Sequence, residues 1–121
     1  MIPKELKYTK EHEWVRIENN EVVIAITDYA QSELGDVVFV ELPDIGAIFK
    51  ESDILGTIEA VKTVADIFSP VSGEIVALNL EIENSPELVN SDPYNKGWLI
   101  KMKVADGFKL LNHEEYSELI S

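Results

Sequence analysis

No cysteine occurs among the 121 residues of the chain, so it has neither a disulfide framework nor a thiol nucleophile. Cations are scarce too: 10 lysines and arginines stand against 23 acids, a net charge of −13. Such a surface repels phosphate backbones and anionic lipid, so neither nucleic acid nor membrane is an expected partner, and basic partners are favoured. No apolar run approaches the roughly 20 residues of a membrane span. The opening "MIPKELKYTK" has neither an apolar h-region nor an arginine. It therefore predicts no secretory signal or transit peptide, and a cytoplasmic location. The two histidines, His12 and His113, lack a metal-ligand spacing, and no GxSxG or glycine-rich phosphate loop is present. No catalytic machinery and no metal site are expected, and His12 in "EHEW" reads as a satisfied surface or edge histidine.

What is present suits a packed domain. With 45% hydrophobic residues, the chain is expected to form one domain, 1–121, burying roughly 65% of its unfolded surface. "HEWVRIENNEVVIAIT" predicts a hairpin about Asn19-Asn20. Thr27 or Asp28 can cap a short helix that stops at Gly35. "VVFVELPDIG" predicts a strand ended by Pro43, and "SDILGTIEAV", "VADIFSP" and "GEIVALNLEI" predict three more. Ser85 as a cap, with Pro86 as the first helical residue, predicts one helical turn. "GWLIKMKV" alternates, with Trp98, Ile100 and Met102 on one face and Leu99, Lys101 and Lys103 on the other. Asn112 and Glu115 have capping-box spacing ahead of a stripe of Tyr116, Leu119 and Ile120. Many short strands with a few helical pieces predict a mainly β fold, a small sandwich or barrel, with short helices including one at the C-terminus.

One stretch stays open at this level. Ile58, Val61, Ala65 and Phe68 fit a helical stripe, with Glu59 and Lys62 as an i,i+3 pair, whereas Gly56, Pro70 and the β-branched residues between them favour strands. No Asn-Gly pair marks a hairpin turn at Lys62. Lys62 is nevertheless conspicuous as the only cation between Lys50 and Lys96, an interval holding nine acids. Its plain reading is an exposed lysine pairing weakly with Glu59 or Asp66. The other is an amine presented alone to an acylating enzyme. A lysine amine is a poor unaided nucleophile at neutral pH, so that enzyme must supply an activated acyl group.

Four segments carry a resemblance. "KYTKEHEWVRIE", "AITDYAQSELGDVVFVELPDIG", "IEAVKTVADIFSPVSGEIVALN" and "PELVNSDPYNKGWLIKMK" resemble, in order and spacing, the glycine cleavage H-protein family, from about Leu6 to Tyr116. The resemblance implies a lipoyl-domain-like barrel-sandwich hybrid of two small antiparallel sheets, with its core at about residues 6–116 and a lipoyl-accepting lysine at a hairpin turn. The matching position is Lys62. Where the family usually reads E-S-V-K-A, this chain reads Glu59-Ala60-Val61-Lys62-Thr63, small-for-small changes that acylation is expected to tolerate. The resemblance further implies a monomeric carrier, not an enzyme, bearing lipoate as lipoyl-lysine. Its implied partners are a pyridoxal-phosphate glycine decarboxylase, a tetrahydrofolate-dependent aminomethyltransferase and a dihydrolipoamide dehydrogenase. A lipoate ligase or lipoyltransferase would attach the arm. Glu59, Glu13 and Asp66 are implied in ligase recognition or arm docking, with plain solvated carboxylates as the alternative. A platform for lipoate assembly or relay is the main rival function. A biotin carrier is disfavoured by Val61 and Thr63, where methionines usually flank the lysine, and an unmodified acidic binding domain is the last alternative.

Overall fold

The computed structural model describes residues 2–104 and 109–121. After β1 (Lys7–Tyr8), strand β2 (Glu13–Glu18) turns back into β3 (Glu21–Ile26) through Asn19, whose φ of +59° is left-handed. Asparagine tolerates that conformation better than most residues, so the predicted hairpin forms where expected. Thr27 Oγ1 then accepts the Ala30 N–H at 3.2 Å and caps α1 (Asp28–Leu34), which stops at Gly35 with φ +83°. Strands β4 (Val37–Glu41), β5 (Ile48–Phe49), β6 (Ile54–Ala60), β7 (Val64–Phe68) and β8 (Gly73–Leu78) follow. Two single-turn helices, α2 (Glu81–Asn84) and α3 (Leu88–Ser91), lead to β9 (Ile100–Val104) and the last helix, α4 (His113–Ile120). Among these described residues, no helix is long and apolar enough to cross a membrane.

The strands make two antiparallel sheets, ordered β1-β2-β3-β9-β8-β5 and β4-β6-β7. The two-sheet architecture that the resemblance implied is therefore present, and the stretch that also fitted a helix is the β6–β7 pair. Both sheets feed one core. Trp14, Ile24, Ile75, Ile100 and Met102 from the first meet Val40, Leu55, Ile58 and Ile67 from the second, all buried. Each such aliphatic side chain contributes about 1.5–3 kcal/mol by leaving water.

At the C-terminus the capping box forms as predicted. Asn112 Oδ1 accepts the Glu115 N–H at 2.8 Å, and Glu115 Oε1 accepts the Asn112 N–H at 2.9 Å. Tyr116 is fully buried and stacked on Tyr8 with ring centroids 4.7 Å apart. Its hydroxyl lies 2.7 Å from Thr27 Oγ1 and 2.9 Å from His12 Nδ1, so His12 is the satisfied histidine its context suggested.

Four details differ from expectation. The strand predicted to run through Ile82 ends at Leu78, because Asn79 turns the chain. Its Nδ2 donates to the Lys96 and Trp98 carbonyls at 2.8 and 2.7 Å while Oδ1 accepts the Glu81 N–H, which starts α2 and buries Ile82. Ser85 acts through its carbonyl, accepting the Leu88 N–H at 3.1 Å, and α3 begins two residues after Pro86. Leu99, assigned outward by alternation, is fully buried: it precedes β9 and is held between Ile24 O and Asn79 N. Leu119 is exposed, so the α4 stripe rests mainly on Tyr116.

The second sheet depends on a close approach of β4 and β6. A methyl group at Gly56 would collide with the Glu41 carbonyl oxygen. Gly56→Ala is expected to cost roughly 1–3 kcal/mol, measured as a lower urea midpoint. A change below about 0.5 kcal/mol, the ordinary surface range, would mean that the strands can part cheaply.

Candidate functional site

Lys62 sits at the tip of the β6–β7 hairpin. Glu59 pairs with Val64, and the Ala60 N–H donates to Thr63 O at 2.8 Å, leaving Val61 and Lys62 as the turn. Neither residue has a positive φ, so this turn needs no Asn-Gly pair and gives no such signal in the sequence. Both side chains are exposed. The tip is tied to the body by the Val61 N–H, which donates to Asp36 O at 3.0 Å. Beside it, Gly35 leaves room for the lysine: a Cβ there would stand 3.2 Å from Lys62 Cε. Among the described residues the ion pairs are Arg16–Glu18 and Lys101–Glu18. The pairing of Lys62 with Glu59 or Asp66 that the sequence allowed is not among them.

The outward face of the small sheet runs up to this tip. Cross-strand rows place Phe39, Glu59 and Val64 in one line and Glu41, Thr57 and Asp66 in the next. A register shift between Val37 and Phe39 turns both Val38 and Phe39 outward. Phe39 is 51% exposed and Val64 59%, so two exposed apolar side chains flank Glu59 in the row beside a single amine. The structure thus brings Glu59 and Asp66 together on one face near Lys62.

Glu13 lies elsewhere. It opens β2 with 2% of its surface exposed, and its two carboxyl oxygens accept from Thr9 Oγ1 at 2.5 Å and the Phe68 N–H at 3.3 Å. Burial pushes its carboxyl up to about 7, against the pull of those hydrogen bonds. The carboxyl lines a cleft of about 870 Å³ together with Thr9, Phe68 and Ser69. Val64, Asp66 and Phe68 alternate on one face of β7, so an outward row about 13 Å long leads from the tip towards the cleft. The roles of Thr9, Gly35 and Phe68 escaped the sequence. Phe68 and Gly35 act through backbone, which no side-chain motif advertises.

The glycine cleavage H-protein family matches residues 6–121. The chain belongs to that family. Glycine cleavage system H proteins from two strains of Staphylococcus epidermidis are 52% and 51% identical to it over 122 aligned positions, covering 98% of this chain and 97% of each relative. The crystal structure of a glycine cleavage system H protein from Mycobacterium marinum is also similar, with a TM-score of 0.92 and 36% identity over 97% of both chains. Family membership and the barrel-sandwich fold therefore agree along nearly the whole length.

Glu13 gives the site a pH signature. A carboxyl near 4.5 when unfolded and near 7 when folded binds its proton more tightly in the folded chain. Its stabilisation is complete below about pH 4.5 and is lost as the pH rises through 7. The stability of the wild type relative to Glu13→Gln should fall by roughly 3 kcal/mol between about pH 4.5 and 8 in urea titrations. Parallel pH profiles would mean that burial leaves this carboxyl unperturbed.

Proposed function

We propose that Lys62 receives lipoate in amide linkage and that the whole chain, as one cytoplasmic domain and a monomer, shuttles an aminomethyl group between enzymes on that arm. As a family member the chain is a carrier protein of the glycine cleavage system and not a catalyst. Its context implies a glycine decarboxylase and an aminomethyltransferase as partners. A lipoate ligase or lipoyltransferase and a dihydrolipoamide dehydrogenase complete the proposed set. The observation that carries the reading is the presentation of Lys62: one exposed amine on a two-residue turn, fixed at Val61 and clear of ion pairs among the described residues.

The residues fit the chemistry of an acyl acceptor. The Lys62 amine gives up a proton to the attaching enzyme and attacks an activated lipoyl carbonyl. The N–C bond forms as the bond from that carbonyl to its activating group breaks, the activating group leaves (AMP where a ligase uses ATP), and the resulting amide carries no charge. When bound, lipoate supplies a disulfide that takes up the aminomethyl group and is left as a dithiol for reoxidation. Everything else falls to the protein. Phe39 and Val64 offer apolar contact, and Glu59 and Asp66 offer acids to a basic enzyme surface, where long-range attraction speeds encounter. Val64, Asp66 and Phe68 mark a route along β7 towards the cleft. There Glu13 can meet a cationic amine, and such a cation would draw its carboxyl down from about 7 into the ionised form.

Incubation with lipoate, ATP and a lipoate ligase should add one lipoyl increment, mapped to Lys62 by peptide mass and absent from Lys62→Ala. No increment, while a known lipoyl domain is modified in the same tube, would sink the carrier reading. For the loaded arm, Glu13→Gln should speed loss of the aminomethyl group to water by roughly tenfold, since it removes a charged hydrogen-bond partner. An unchanged release rate would remove Glu13 from arm docking.

A further inference from the structure

The lysine tip meets the body of the protein at a short strap, Gly35 to Val37, which leads from the end of α1 into the first residue of β4. Asp36 in that strap accepts the Val61 N–H at 3.0 Å, and Gly35 lies within contact of the Lys62 stem. One carboxamide grips the strap on either side of Asp36. Asn90, on α3, accepts the Val37 N–H through Oδ1 at 2.8 Å. Its Nδ2 donates to Gly35 O and to Gln31 Oε1, both at 2.9 Å. This arrangement fixes the orientation of the carboxamide, because a flipped amide would set its donors against the Val37 N–H and its acceptor against two oxygens. Gln31 is itself held, donating to Asp28 Oδ1 at 2.8 Å. The grip is therefore braced by both α1 and α3.

We propose that Asn90 is the positioning residue of the acylation site, setting the strap and, through the Asp36–Val61 hydrogen bond, the place of the Lys62 amine. The proposal rests on the reading of Lys62 as the acylated residue. Asn90 is half-buried and touches no reacting atom. Its effect is geometric. An acylating enzyme holds its activated carbonyl at a fixed point over the docking face, and the amine must arrive there in line. Displacements of about 1 Å from a remote change can cost orders of magnitude in such a step. Carbonyl and amide groups left without partners when Asn90 is lost would seek others, and the strap would relax with them. The exposed face that an enzyme docks against stays as it was. Loss of Asn90 should therefore lower kcat and leave KM in place.

Two variants separate this from a general loss of stability. Asn90→Leu keeps the branched shape at Cγ and removes all three hydrogen bonds, whereas Asn90→Asp keeps only the acceptor for the Val37 N–H. In lipoylation assays with a lipoate ligase, Asn90→Leu should lose about tenfold in kcat with KM within about twofold, and Asn90→Asp should fall between it and the wild type. Hydrogen exchange of the Val61 amide should speed up about tenfold in Asn90→Leu while core amides of β3 and β9 keep their rates. If Asn90→Leu does not fold, Asn90→Asp carries the test on both readouts. An unchanged kcat, or Val61 exchange that speeds up only in step with the core, overturns the proposal. The exchange readout does not involve acylation. A wild-type chain that is never acylated at Lys62 would overturn the carrier reading and the acylation role of Asn90 with it. An acylated wild type with an unaltered Asn90→Leu overturns the positioning role alone.

Discussion

The small sheet is bound to the rest of the chain through its inner face, and the site depends on that one-sided burial. Val40, Leu55, Ile58 and Ile67 sink into the core shared with the larger sheet. A sheet must bury one face to be stable, and among the described residues no second layer covers the other. Its outward rows stay in solvent, Phe39 and Val64 included. The hairpin tip projects beyond the core altogether. The stability of the fold is thus spent on one side, leaving the other available to partners and Lys62 at its end.

A carrier places opposite demands on its attachment point. The arm must swing freely, but its root must not, or each visiting enzyme would meet it at a different place. For the attachment proposed at Lys62, the second demand is met by backbone. A two-residue turn has little freedom of its own, and the Val61 N–H to Asp36 O bond removes some of what remains. The absence of cysteine suits the first demand for the lipoyl arm proposed above, since a protein thiol near the site would exchange with its dithiol. Much of the chemistry therefore lies outside this chain, which contributes placement and charge.

Much of this was legible in the residues, and the exceptions share a cause. Asn19, the Thr27 cap and the Asn112–Glu115 box were readable because each is a local device whose partners lie within four residues. The two strands flanking Lys62 were readable only as an alternative to a helix, since short apolar runs fit both periods. Where prediction failed, a distant partner had intervened. Asn79 ends β8 by reaching Lys96 and Trp98, and Leu99 is buried by neighbours from β3 and the Asn79 turn. The site divides in the same way. Lys62 stood out through isolation in a run of acids, and Glu59 and Asp66 lay near it in sequence. Burial of Glu13 against Phe68 joins residues 55 positions apart, which no local pattern could announce.

The Tyr116 hydroxyl bonds to Thr27, the residue that caps α1, and α1 ends at Gly35, beside the lysine stem. Seven residues of helix, about 10 Å, separate the anchor of α4 from the glycine beside the Lys62 stem. Helix α4 is consequently mechanical neighbour to the hairpin tip at Lys62. Clipping α4 by a protease, or pulling on it with a fused domain, would take from the Thr27 cap its Tyr116 partner, although neither event touches the hairpin itself.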